Sequence, residues 1–143
     1  MTGDDEATPT VDAETLRYLS RILGRQSEVQ QTSLLPSNRQ ESLVVFLEEE
    51  YYPEAVDEVR LEVRAYTNGD FHVSYVESSR GERRRCRWDR HDQNHNSRDH
   101  FYPFPEAGTS GAEDRDFPND QTTLLEQVVL PWVEDRLGEL WEA

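Results

Sequence analysis

The segment Trp88-Asp89-Arg90-His91-Asp92-Gln93-Asn94-His95-Asn96-Ser97-Arg98-Asp99-His100-Phe101-Tyr102 gathers three of the chain's four histidines with three aspartates and two arginines. It follows directly on the basic run Arg83-Arg84-Arg85-Cys86-Arg87. Histidine is the side chain whose ordinary pKa lets it give and take protons near neutrality, and it is the commonest metal ligand. Three readings are open to such a cluster. In metal-free phosphodiester cleavage, two of His91, His95 and His100 act as general base and acid, and Arg87, Arg90 or Arg98 stabilises the charge developing on the phosphate. RNA suits that chemistry because its own 2′-hydroxyl can serve as nucleophile. In a metal site, Asp89, His91, His95 and His100 would be the ligands. His91 and His95 converge only on a helix, however, and Asn94 and Asn96 beside His95 speak against one. In the third reading the histidines are solvated or hydrogen-bonded to the aspartates. No cofactor is implied, and the favoured chemistry needs no metal.

These residues must be held by the elements around them. Val59, Leu61, Val63 and Ala65 alternate with charged residues, Asn68-Gly69 is a strong hairpin signal, and Phe71, Val73 and Tyr75 alternate on the return. A second turn at Ser78-Ser79-Arg80-Gly81 leads into Arg83–Asp89. There Arg85, Arg87 and Asp89 share one face, while Cys86 and Trp88 take the other. Asp89 then ends the last strand, beside arginines expected to lower its pKa and keep it ionised. The histidines follow on a loop anchored to the sheet. His72, on the preceding strand, faces the cluster if that strand neighbours Arg83–Asp89.

The apolar run Leu43–Leu47 adds another strand, and Val29–Leu35 a short edge strand. Leu16, Leu19, Ile22 and Leu23 form one helical face between Asp12 as cap and Gly24 as stop. Leu124, Leu125, Val128, Val129, Trp132, Val133, Leu137, Leu140 and Trp141 mark a C-terminal amphipathic helix that Pro131 would kink or split. The expected fold is α+β: a four- to five-stranded antiparallel meander with an N-terminal helix and the C-terminal helix packed on one face. Residues 1–11 read as a disordered acidic tail. Residues 12–143 form a single domain, with a helix at 12–24, the sheet at 42–89, His-rich and acidic loops at 90–118, and a helix at 119–142.

The chain has 143 residues and a formal net charge of −15, and every one of its 15 basic residues is arginine. Acidic excess without lysine suits a halophilic protein in a salt-rich cytoplasm. Residues 80–100 hold seven arginines against four acids, a basic island that fits a phosphate-bearing partner. Lone Cys86 excludes an internal disulfide and a thiolate zinc site. No signal peptide or membrane span is evident, so the reading is cytoplasmic, without membrane partners. Tyr102, among the arginines, suits base stacking.

A strand ending in an aromatic-Asp step, a polar His-bearing loop and an Asp-His pair followed by aromatics resembles the TumE-like toxins of prokaryotic toxin–antitoxin pairs. Trp88-Asp89-Arg90 stands at the family's Tyr-Asp-Asn step, and Arg98-Asp99-His100-Phe101-Tyr102 at its His-x-His-type element. The resemblance spans about residues 42–141 and leaves the first helix as an addition. It implies a ribonuclease toxin neutralised by a helix-turn-helix antitoxin, with Asp89 and His100 foremost among the catalytic residues and His95 next. Phe101 or Tyr102 stands where a second histidine is expected, so His91 or His95 would have to substitute. Arg85, Arg87, Arg90, Arg98 and Tyr102 are the candidate RNA contacts. The alternative is a non-catalytic interaction protein whose Arg-rich strand edge binds nucleic acid or an acidic partner. Homo-oligomerisation stays open in either reading.

Overall fold

A computed structural model describes residues 10–91 and 99–142. The acidic tail expected at 1–11 therefore lies almost wholly outside the described residues, as do His95 and Arg98. Helix α1 (Ala13–Leu23) starts where the Asp12 carboxylate accepts a hydrogen bond from the Thr15 backbone N–H and stops at Gly24, burying Leu16, Leu19 and Leu23.

Seven strands follow in chain order: β1 (Val29–Leu35), β2 (Ser42–Leu47), β3 (Val56–Ala65), β4 (Phe71–Ser79), β5 (Glu82–Arg90), β6 (Asp99–Tyr102) and β7 (Glu113–Arg115). Each pairs antiparallel with the next, so the sheet is a pure meander. The count exceeds the four or five expected because β6 and β7 have four and three residues. β7 is exposed throughout and charged, and backbone pairing rather than side-chain burial makes it a strand. The β4–β5 hairpin turns through Arg80 and Gly81, both at positive φ (52° and 83°), the pairing that a tight two-residue connection demands.

Period-two alternation divides the sheet into two faces. One carries Leu43, Val45, Leu61, Val63, Phe71, Val73, Tyr75, Cys86, Trp88 and Phe101, all buried in a single core with the apolar stripes of the helices. The C-terminal helical segment runs through α2 (Gln121–Leu124), a π-helical stretch (Leu125–Val129) and α3 (Leu130–Glu142). Pro131 is the second residue of α3, just beyond the π-helical stretch, where the usual ladder of hydrogen bonds is already shifted and its missing N–H is tolerated. Trp132 stacks edge-on against Tyr75 and Trp88 at 4.8 and 5.7 Å between ring centres.

Two charged clamps tie this layer together. Arg136 of α3 donates to both oxygens of buried Glu77 at 2.9 and 2.8 Å, and the Tyr75 hydroxyl donates to the same carboxylate at 2.7 Å. Burial alone would push Glu77 up, but these donors together hold it below the usual carboxylate range. On β5 and β6, Arg90 forms a two-pronged pair with Asp99 at 2.7 Å on each prong and also donates to the Phe117 carbonyl. The Phe117 N–H also donates to Asp99 Oδ2 at 2.7 Å.

Candidate functional site

The face turned away from the helices carries the chemistry. The strand registers place Arg64 opposite His72, His72 opposite Asp89, Asp89 opposite His100 and His100 opposite Asp114. Five side chains from five adjacent strands thus make one row across the sheet. The next row along the same face runs Glu62, Ser74, Arg87 and Tyr102. With neighbouring strands about 4.8 Å apart, His72 and His100 flank Asp89 at backbone separations of about 9.6 Å from each other.

Asp89 is the centre of the row and only 4% exposed. Its Oδ2 lies 3.5 Å from Arg87 Nε and 3.7 Å from His72 Nδ1. Its Oδ1 and the Arg87 Nε are both buried without a hydrogen-bond partner among the described residues. Burial raises the Asp89 carboxyl above the usual range, and the opposing pull of His72, Arg87, His100 and His91 does not overcome it. This reverses the expectation that the β5 arginines hold Asp89 down: Arg87 sits at ion-pair distance without making the hydrogen bond that would stabilise the charged form.

His72 is pushed below the ordinary imidazole range, first by burial, with Asp89 acting against that and Arg87, His91 and Arg64 adding to it. Its ring meets Tyr66 edge-on at 6.1 Å. His100 places Nε2 3.0 Å from Asp114 Oδ1, which puts a proton on that nitrogen and fixes the ring. Arg87 lies over the Tyr102 ring at 4.2 Å, a cation–π pair between β5 and β6.

Of the residues named from the sequence, Asp89, His100, Arg85, Arg87 and Tyr102 share the open face. His100 stands on a strand, however, and not on the loop where it was expected. His91 follows β5, and its charge acts on both His72 and Asp89. Arg90 does not join them. As the last residue of β5 it faces the core, 4% exposed and spent on Asp99, so it cannot meet a ligand on the open face. Besides Asp114 on the unforeseen β7, two members of the row stood outside the sequence-based site: Arg64, and His72, which was placed there only on condition that its strand neighboured β5. Counting back through the two hairpins would have found both, because a turn at Asn68-Gly69 sets Arg64 against His72 and a turn at Arg80-Gly81 sets His72 against Asp89. Among the described residues no three His, Cys, Asp or Glu side chains converge as a metal would require.

The fold and this row define a small α+β protein with helices on one sheet face and an imidazole–carboxylate–guanidinium row on the other. Over residues 18–137 the chain matches the family model Toxin TumE, and it belongs to that toxin family. The match begins within α1 and takes in all seven strands, reaching further toward the N-terminus than the motif suggested. A toxin of this kind implies an antitoxin partner. No curated protein and no solved structure matches the chain. No described helix is long and apolar enough to cross a membrane.

Proposed function

We propose that the protein is the RNA-cleaving toxin of a cytoplasmic toxin–antitoxin pair, restrained by a helix-turn-helix antitoxin, and that its open sheet face performs metal-independent transesterification. The observation that supports this is the row His72–Asp89–His100, two imidazoles on either side of a buried carboxylate with Arg87 beside it. His72, held neutral by its surroundings, takes the proton from the RNA 2′-hydroxyl. The 2′-oxygen attacks the adjacent phosphorus, the bond from phosphorus to the 5′-oxygen breaks, and His100 gives its proton to that leaving oxygen. The products are a 2′,3′-cyclic phosphate and a free 5′-hydroxyl, with no external reactant consumed. Arg87, with Arg85, Arg64 and Arg98 as further cations, stabilises charge on the phosphoryl oxygens, and Tyr102 offers a stacking surface. Asp89 stabilises whichever imidazole is charged. His72 fills the place of the missing second histidine, with His91 and His95 retained as lesser candidates.

Purified protein incubated with RNA in high salt and excess chelator tests the reading. Cleavage is expected to persist in chelator, to end in cyclic phosphate, and to fall by about 10²-fold or more in both His72→Ala and His100→Ala. Chelator-sensitive cleavage, or full activity in both variants with native circular dichroism, would remove the acid–base assignment. RNA binding without cleavage by the wild type would favour the reading of a non-catalytic nucleic-acid-binding face.

A further inference from the structure

We infer that the substrate is single-stranded RNA laid straight along β5, with successive phosphates on Arg87, Arg85 and Arg83 to one side of the reacting bond. This rests on the proposed cleavage site and adds its substrate geometry. The three arginines alternate with Arg84, Cys86 and Trp88, so they share the open face with Asp89 in a single column. Open-face neighbours on a strand are about 6.7 Å apart, close to the step of an extended sugar–phosphate chain.

Two of these arginines form no ion pair with a described residue, as is also true of Arg17, Arg21, Arg25, Arg64 and Arg80, but these two alone stand in one column with Arg87. Acids outnumber arginines two to one in this chain, 30 against 15. Arg39, Arg60, Arg84, Arg90, Arg115 and Arg136 each have a carboxylate partner. Arg83 and Arg85 are exposed, and neither has a side-chain ion pair or hydrogen bond with any described residue. Glu106 bridges to Arg85 through the backbone, and still its carboxylate does not pair with the guanidinium. The residues opposite Arg83 and Arg85 on β4 are Ser78 and Val76, which offer no charge. In so acidic a chain, two adjacent uncompensated guanidiniums are cations left available for an external anion. They line up with Arg87, and Arg87 reaches the carboxylate at the centre of the row.

The geometry also selects the strandedness. Asp89 lies flush with the sheet between β4 and β6, so the reacting phosphate must come down onto the face. An A-form duplex presents a curved backbone and cannot follow a straight column of three side chains while lowering one phosphate to the sheet. A single strand can, with its bases free to stack on Tyr102.

The test compares wild type with Arg83→Gln, Arg85→Gln and the double variant on a dinucleoside monophosphate, a single-stranded octamer and the same octamer annealed to its complement. The double variant is expected to raise KM on the octamer by about tenfold, with a smaller penalty on the dinucleotide and little cleavage of the duplex by any protein. The slope of log kcat/KM against log salt should become shallower by about 0.7 for each arginine removed. Arg39→Gln, which takes the same charge from a remote surface, should leave octamer cleavage as it is. Equal KM and salt slope in variant and wild type, or equal cleavage of duplex and single strand, would overturn the inference while leaving the cleavage site standing. If the wild type cleaves nothing, fluorescence titration with labelled octamer still decides. Single-strand binding weakened in the double variant keeps the column and discards the nuclease, whereas no binding, or binding indifferent to both arginines, discards the column too.

Discussion

Asp89→Asn should make the protein more stable and less active at once. The Asp89 Oδ1 is buried without a partner, and its Oδ2 meets Arg87 and His72 only at 3.5 and 3.7 Å, beyond good hydrogen-bond length. An unsatisfied buried polar atom costs about 1–3 kcal/mol. The nearby cations recover part of that, so replacing the carboxylate by an amide of the same shape should gain about 1 kcal/mol near neutral pH. For a chain of 143 residues this is a rise in Tm of about 3–5 °C. The pH dependence has a fixed sign. A carboxyl raised in the folded state binds its proton more readily folded than unfolded, so the wild type loses stability as pH rises through the folded pKa. Below the unfolded carboxylate range the penalty is absent. Thermal unfolding in high salt should therefore show the variant above the wild type at pH 8, with the gap closing as pH falls, while RNA cleavage drops at least about tenfold. A variant melting several degrees below the wild type at pH 8, or a gap that does not change with pH, would refute the argument.

Two further outcomes follow from the core side. Arg136→Ala leaves Glu77 buried and unpaired and should cost about 3–5 kcal/mol in urea unfolding, whereas replacing both residues by leucine should cost much less. Cys86 is fully buried, and burial pushes its thiol up, so iodoacetamide should label it in urea and not in the native protein, as mass spectrometry would show.

Most of the sheet was legible because its strands bury one side. Alternation through Val59–Ala65 and Phe71–Tyr75 around Asn68-Gly69 defines β3 and β4, and the capped stripe of α1 is as plain. β6 and β7 were not legible. Asp99-His100-Phe101-Tyr102 has one apolar residue facing the core beside a buried carboxylate, and Glu113-Asp114-Arg115 has none, so neither shows the periodicity that marks a half-buried strand. The error at Arg90 has the same origin. Ending β5 at Asp89 left Arg90 free to join the loop, whereas one more residue of strand turns it into the core. His72 and Arg64 lie far from the cluster in sequence, and only the register of two hairpins brings them to Asp89.

That register is itself secured by Arg90, named from the sequence as an RNA contact, and its partner Asp99. On β5 and β6, Arg90 pairs with Asp99 and Asp89 with His100, one step apart and on opposite faces. The first pair is fully bonded and buried; the second carries the unsatisfied carboxylate. Slipping β6 by one residue would turn Asp99 onto the open face and leave Arg90 buried in the core without its partner, a loss far larger than anything the open face could regain. The bonded pair on the core side thus holds the strands in the alignment that keeps His72, Asp89 and His100 in one row. The open face can then tolerate a costly buried carboxylate, because the strands carrying it are fixed from behind.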